Sequence, residues 1–417
     1  MIRIKHIPKK DMPAFTDIVA VAYPGMDVDT KEKRRDVARR LIAVEQASRD
    51  LSTYGLYRDG KLLGGLRLFD FRMNVFGVKT LCGGGGLLAV DLPHKKEKVA
   101  RDLMEFFIEH FRQKKAPLAA LYPFRPDFYR KMGFGYGTKT CQYIFRPGEL
   151  PLGGDRQHVR FLTKRDRPAM MRCHDRFAQQ IHGMTYKCRF ELMRLDRPGV
   201  NAVGFVKNRQ LQGYLVFTFK HTNQSNFIFQ SLHIQEFVYE SREALSGLLA
   251  FLQSQADQVH HIVYGVQDDG LHFLPSDPRT GSDNLLEPLA HETNSQGVGI
   301  MYKVIDVAGF FRLLKSHRFG REDCRLKITV QDSFTPGNDG SYVIHFVGGR
   351  PHVKRRDADH EVEITLDIAE FSSLVLGVVD FARLHRYGLA EISDADYLDV
   401  VNRLFLAESR PITLAQF

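Results

Sequence analysis

One stretch of this chain is written twice. "GLYRDGKLLGGLRLFDF" and "GFVKNRQLQGYLVFTF" align without a gap at a displacement of 149, which carries Gly55 onto Gly204, Leu62 onto Leu211 and Gly64 onto Gly213. At the same displacement "LAVD" (Leu88 to Asp91) meets "FVYE" (Phe237 to Glu240). A displacement kept over that length predicts a duplicated unit. In the first copy Asp59-Gly60 is a two-residue hairpin turn between alternating apolar runs. Each copy then continues with a helix, "KKEKVARDLMEFFIEHFRQ" or "SREALSGLLAFLQSQ", and a buried strand, "APLAALYP" or "HHIVYGV". With the leading strand "MIRIKHI" and two helices before the first hairpin, the pattern predicts an α+β (α/β) sheet packed by helices.

From Asp306 the order changes to a helix ("VAGFFRLLKSH"), strands ("RLKITVQD", "SYVIHFVGG", "HEVEITLDI") around a "PGNDG" turn, and three helical stretches. Three domains are expected, over residues 1–150, 151–305 and 306–417. The tail "SRPITLAQF" places Leu414 and Phe417 after a helix-stopping Pro411, so this end is expected to dock rather than fray.

Composition removes several function classes. A 43% hydrophobic, 26% charged chain is globular, and no apolar run reaches the ~18 residues of a membrane span. "MIRIKHIPKK" has no apolar signal-peptide core, and the five cysteines are odd in number and never spaced as CxxC. A cytoplasmic protein with neither a disulfide framework nor a zinc knuckle is expected, and no membrane partner. His260 and His261 sit in a strand, where neighbours face opposite ways, so no metal site is expected. The net charge of +10 is spread over Lys31–Arg40, Lys95–Arg101 and Lys354–Arg356 without a recognition motif, which argues against nucleic acid and leaves a small polyphosphate as the sharper partner.

Two segments of the first copy carry chemistry. "GGGGLLAVDLPHKKEKVARDLM" reads as a strand, a turn and a helix starting near His94, whose free first-turn amides and dipole form an anion site. Lys95, Lys96, Lys98 and Arg101 add charge there. Gly83–Gly86 is not a P-loop, since no Gly-Lys-Ser/Thr follows and the glycines read as preceding a strand. "DFYRKMGFGYG" places Tyr129 on a short helical turn that runs into a glycine-punctuated strand. The second copy has only "SREALSG" after its strand and no counterpart of "DFYRKMGF". The first copy reads as functional and the second as structural.

This order of features resembles the GNAT superfamily of N-acetyltransferases. With the duplication, the carrier-like third domain and the terminal "AQF", the whole chain resembles the Eis (enhanced intracellular survival) family. The resemblance implies tandem GNAT domains, a sterol-carrier-like third domain, acetyl-CoA as cosubstrate with no metal, and a homo-oligomer, a hexamer. It implies an acceptor that is a small-molecule amine, such as an aminoglycoside-like polyamine, or a protein lysine. The amides of Leu88, Ala89 and Val90 would hold the thioester. Lys95, Lys96, Lys98, Val99, Ala100 and Arg101 would hold the pyrophosphate, with Phe124 and Arg125 completing the cofactor set. Tyr129 would be general acid, its ordinary pKa of ~10 allowing it to protonate a thiolate of pKa ~8.5. The Phe417 carboxylate would be general base. Tyr23, Asp27 and Asp29 would form the acceptor pocket. One departure stands out: the family's Gln/Arg-x-x-Gly-x-Gly/Ala loop reads "KKEKVA" here, with Lys98 at the glycine and Glu97 beside the expected phosphates. That loop keeps a second reading open, a non-catalytic acyl-CoA or lipid-binding protein.

Overall fold

The computed structural model describes residues 2–26, 28–221, 229–282 and 284–417. Its contacts separate two units, Met1–Gly137 with Gly299–Pro411 and Ala415–Phe417, and Thr138–Val298 with Ile412–Leu414. The mixed α/β class expected from the pattern is the one observed.

In the first unit, β1 (Ile2–His6), β2 (Leu51–Arg58), β3 (Lys61–Val75), β4 (Val78–Val90) and β5 (Leu118–Leu121) follow one another across a seven-stranded sheet. Met301–Val304 and Gly135–Tyr136 complete it. All pairs are antiparallel except β4 with β5. Helices α1 (Met12–Ala22) and α2 (Lys31–Ala47) lie between β1 and β2 in the chain, and α3 (Val99–Gln113) joins β4 to β5. The core packs Leu103, Phe107 and Phe111 of α3 onto Leu66, Leu68 and Leu88 of the sheet. On α3 those residues recur at four-residue spacing, which aligns them along one face.

The second unit repeats the first element by element. Its hairpin, Val200–Lys207 and Gln210–His221, turns at Asn208 and Arg209, both with positive φ, as Asp59 and Gly60 do in β2–β3. Both hairpins carry a register shift beside the turn, where Leu56 and Tyr57 face Gly64 and Leu62 in the first and between Leu211 and Gly213 in the second. The copies part after the next strand. Eight residues, Asp91 to Lys98, separate β4 from α3, but only Glu240 and Ser241 separate Gln230–Tyr239 from Arg242–Gln253. Ser241 caps that helix by accepting from the Ala244 amide, so its first turn has already used a partner. In this unit the rings of His260 and His261, expected on opposite faces, meet edge to face with centroids 4.2 Å apart.

The units change at Gly137/Thr138 and at Val298/Gly299. Thr140–Phe145, which precedes residue 150, pairs in the second sheet, and Met301–Val304, which precedes residue 305, pairs in the first. Local pattern does not fix such pairings, because a short apolar strand fits either sheet equally well. The carrier-like segment belongs to the first unit. Its five strands run Arg350–Val353, Gly340–Val347, Cys324–Gln331, Val362–Asp367, Ala390–Ile392. Its helix Ile368–Val375 is buried at every residue. No helix of the described residues is long and apolar enough to cross a membrane, and among them no three His, Cys, Asp or Glu are grouped to hold a metal.

A buried ion pair locks this segment to the first sheet. Lys303, with no exposed side-chain surface, donates to Asp332 (2.8 Å), equally buried, and to the Met132 carbonyl (2.9 Å). Asp332 also accepts the amides of Phe334 (3.2 Å) and Thr335 (2.8 Å), so its charge is well satisfied. Removing one partner strands the other charge without water. Lys303→Met is therefore expected to lower the unfolding free energy by about 3–5 kcal/mol, read as a drop in denaturant midpoint at unchanged slope; a change below about 1 kcal/mol would contradict this account of the pair.

Candidate functional site: the open edge of β4

Strand β4 outruns its parallel neighbour. It pairs with β5 only from Cys82 with Leu118 to Gly85 with Leu121, then continues to Val90 along β3 alone. A bulge interrupts that second ladder, where Arg67 faces Gly86 but Gly65 faces Ala89, and Leu87 takes φ of 50°. A bulge with a left-handed non-glycine residue costs energy and re-aims the backbone. The Asp91 amide bonds Leu63 of β3 at 2.8 Å. By strand alternation the amides of Val90 and Leu88 then face the open side, and Ala89 faces β3. The Leu88 carbonyl, on the open side, accepts the Tyr23 hydroxyl at 2.5 Å. Of the three residues expected to hold a thioester, two thus present free amides.

The loop after β4 departs from expectation in its helix start. A short 3-10 turn, Leu92–His94, comes first, and α3 begins only at Val99. The lysine-rich composition favours helix, but Lys96 and Lys98 have φ of 68° and 64°, which a right-handed helix excludes. Lys98 occupies the N-cap in the left-handed conformation that glycine adopts at least cost, and offers no side-chain cap. The first intrahelical bond runs from the Asp102 amide to the Lys98 carbonyl, leaving the amides of Val99, Ala100 and Arg101 ahead of it. Glu97 does not oppose an anion as its position in the sequence suggests. Arg58 holds its carboxylate at 2.6 Å and His94 at 3.2 Å, and the Arg58 bond, then His94, lowers its pKa below the usual value. Lys95, Lys96 and Lys98 are exposed and make no ion pair with the described residues, while Arg101 bonds Glu105 at 2.8 Å. A phosphate-bearing ligand fits this cradle of free amides and free lysines.

Between these features lies a cavity of about 170 Å³, bordered by Tyr23, Gly86, Leu88, Tyr122, Phe124 and Tyr129. Tyr129 sits on α4 (Pro126–Arg130), 4% exposed, with Phe124, Phe128 and Phe134 edge-on to its ring. Its hydroxyl makes no hydrogen bond with the described residues. Burial raises its pKa well above the ordinary phenol value, with Tyr23 adding to the rise, so the phenol keeps its proton through the physiological range. Phe124 is 57% exposed at the rim, and Arg125 is turned to Asp127 at 3.1 Å.

The chain end docks at the same place. Tyr122 donates to the Ala415 carbonyl at 2.9 Å, and the Phe417 ring packs on Phe71 (4.7 Å), Phe69 (5.3 Å) and Tyr122 (5.4 Å). The glycine run, expected to precede a strand, lies inside β4, and each glycine clears room for a neighbour. A Cβ at Gly83 would strike Phe111, at Gly84 Phe71 (2.5 Å) and at Gly85 Phe107 (2.9 Å). At Gly86 it would stand 3.1 Å from the carboxyl carbon of Phe417. Neither Tyr122 nor Gly86 was singled out by sequence, since only the folded tail gives them a role. Of the expected acceptor residues, Tyr23 reaches the cavity. Asp29 is exposed and bound to Lys33 at 2.9 Å, and Asp27 lies outside the described residues. A larger polar cavity, about 370 Å³, lies wholly in the second unit, but its Asp277 and Arg279 neutralise each other at 2.6 Å.

Known proteins parallel this architecture. Residues 3–137 and 186–294 match two GNAT acetyltransferase domain families, and residues 309–414 match a sterol carrier protein domain. No curated protein matches the sequence. Among solved structures, a GCN5-related N-acetyltransferase from Anabaena variabilis aligns over 100% of both chains at 17% identity and TM-score 0.81. A probable N-acyltransferase from Enterococcus faecalis does so at 19% and 0.79, and Eis1 from Mycobacterium abscessus at 18% and 0.77, again over 100% of both chains. At these identities the likeness is one of fold.

The loop yields a test. Lys98→Gly is expected to be about 1 kcal/mol more stable than Lys98→Ala, because only glycine occupies φ of 64° without strain. It should retain acetyl-CoA binding within ~10-fold of the parent by titration, the loss being one surface charge. Abolished binding in Lys98→Gly would mean that the lysine charge, not the loop amides, anchors the phosphates.

Proposed function

We propose that this chain, a GNAT acyltransferase with the tandem-GNAT and sterol-carrier architecture of the Eis family, transfers the acetyl group of acetyl-CoA to a primary amine at the open edge of β4. GNAT domains imply acetyl-CoA as the donor, whose thioester supplies an activated acyl carbon. The observation that carries the reading is convergence: a neutral buried phenol borders the same cavity as Gly86, against which the Phe417 carboxyl packs.

The roles follow from the groups. The amides of Leu88 and Val90, free of the β3 ladder, donate to the thioester oxygen as negative charge develops on it. The Phe417 carboxylate takes a proton from the acceptor's ammonium, directly or through one water, and the neutral amine so formed attacks the thioester carbon. Tyr129 gives its proton to the departing sulfur. A phenol of raised pKa is a weaker acid in water, but the sulfur leaves into the same apolar cavity, where its own basicity is raised by the same desolvation. The free amides of Val99, Ala100 and Arg101, with Lys95, Lys96 and Lys98, hold the pyrophosphate, and Phe124 borders the donor's path. The left-handed Lys98 holds the backbone conformation that glycine adopts at least cost, which weighs against a decayed loop and a non-catalytic binder.

The acceptor is a small-molecule amine or a lysine side chain. Its cavity is far below the ~300–1,000 Å³ of sites that enclose drug-sized ligands, so the reacting amine enters as an arm. The second unit lacks the loop and its helix start is capped by Ser241, which supports one donor site per chain, in the first unit. A cytoplasmic homo-hexamer belongs to the same reading; the five cysteines, all buried and none in a disulfide, support a reducing compartment.

The test is Tyr129→Phe, assayed by free CoA thiol release with a panel of primary amines. Turnover is expected to fall ~10²-fold or more at nearly unchanged acetyl-CoA affinity, as for loss of one general acid. Unchanged turnover would make Tyr129 a packing residue only, and no release from the parent protein with any amine would overturn the acetyltransferase reading.

A further inference from the structure

Arg67 is the only arginine in the buried class among the described residues, at 8% exposed, and no carboxylate pairs with it. Its Nε is buried without a hydrogen-bond partner, and its sole bond is a long one, 3.4 Å, from Nη2 to the Leu41 carbonyl. Glu45 attracts it from beyond ion-pair distance, while spending its own oxygens on Thr53 (2.7 Å) and His6. The guanidinium otherwise lies toward the face of Phe69, 6.0 Å from its centroid. Burial lowers its pKa to about 10, which still leaves it charged at neutral pH. A buried charge without a counter-ion is costly, and an apolar side chain of similar length would fill the space at less cost.

The position of that charge is informative. Arg67 stands directly opposite Gly86 across the β3–β4 ladder. Opposed residues of an antiparallel pair project from the same face with Cβ atoms ~4.5–5.5 Å apart. On that face, at Gly86, the Phe417 carboxyl carbon lies 3.1 Å from the Cβ position, and the Phe417 ring rests on Phe69, the ring Arg67 covers. The chain-end carboxyl and an unpaired cation therefore share the face of the β3–β4 ladder on which Gly86 borders the cavity. No carboxylate side chain of the described residues borders the cavity, and among those residues the nearest negative charge at Gly86 is the chain end. The overall charge of +10 likewise favours an approaching anion over a polycation.

We infer that Arg67 receives an anionic group of the acceptor, so that the substrate is an amine carrying a carboxylate or a phosphate, held with its ammonium at Phe417 and its anion at Arg67. This rests on the acetyltransferase reading and names its substrate class. A planar carboxylate matches the guanidinium fork in two parallel hydrogen bonds, and a phosphate offers the same pair of oxygens.

The experiment compares straight-chain amino carboxylates, aminoalkyl phosphonates, and the alkylamines and diamines of equal length, by thiol release from acetyl-CoA. In parallel, the shift in melting temperature is read for each compound with the full-length protein. The amino carboxylate or the phosphonate is expected to exceed the alkylamine ~10- to 100-fold in kcat/KM, as for a hydrogen bond to a charged group, and the better of the two names the anion. Arg67→Met, which removes a buried charge and keeps the bulk, should bring that ratio to about one and abolish the melting shift. Arg67→Lys should restore part of both. A ratio near one in the parent, a preference for diamines, or a ratio unchanged in Arg67→Met would overturn the inference while leaving acetyl transfer standing. A melting shift that depends on Arg67 without thiol release from any amine would instead overturn the acetyltransferase reading and support the anion site.

Discussion

A parallel ladder that stops early organises the first unit. Beyond Gly85 and Leu121 nothing in the sheet pairs with the free side of β4, yet the strand continues for five residues. Backbone amides left that way must find a partner or face solvent, and an extended amide-rich ligand is the partner such an edge fits. The bulge at Leu87 fixes which amides are offered. Tyr23 occupies the Leu88 carbonyl on that same open side, so the edge is left as donor only at that residue. An edge that donates and does not accept suits a carbonyl that gains negative charge.

The glycine run makes room for the chemistry rather than for motion. Gly83 and Gly85 let α3 close on the sheet through Phe111 and Phe107, and Gly84 and Gly86 clear the opposite face for Phe71 and the chain end. The two faces of one strand therefore serve packing and the proposed catalysis at alternate residues, as the period of a strand allows. The buried Lys303–Asp332 pair holds the segment after α4 through the Met132 carbonyl, and Arg130 pairs with Glu370 of the carrier-like segment. The tyrosine's helix is thereby fastened to the same segment from which the tail emerges, and the two proposed proton-handling groups fall in the same unit.

Much of this was written in the sequence. The repeat at 149 was visible because its glycines and turn residues answer to backbone conformations that do not drift, and both hairpins carry the same positive-φ turn and the same register shift. Tyr129 and Phe417 stood out by position. The helix start did not, because "KKEK" has helical composition and only the folded loop reveals Lys96 and Lys98 in left-handed backbone. Glu97 read as an obstacle until Arg58, distant in sequence, was seen to hold it. Arg67 gave no sign at all: an arginine in a strand reads as exposed, and its missing counter-ion is a tertiary fact.

In the proposed mechanism a carboxylate at the end of the chain removes the proton from the acceptor. It is tested most directly by comparing the free chain end with a chain extended by one or two residues after Phe417, each assayed for thiol release with the same amines and for melting. Each added residue moves the charge by ~3.3 Å, and a misplacement of a single ångström can cost ~10²-fold. The extended chain is expected to lose at least ~10²-fold in turnover while its melting temperature and acetyl-CoA affinity stay within error of the parent. Equal turnover from the two chains would contradict it and remove the carboxylate from the mechanism.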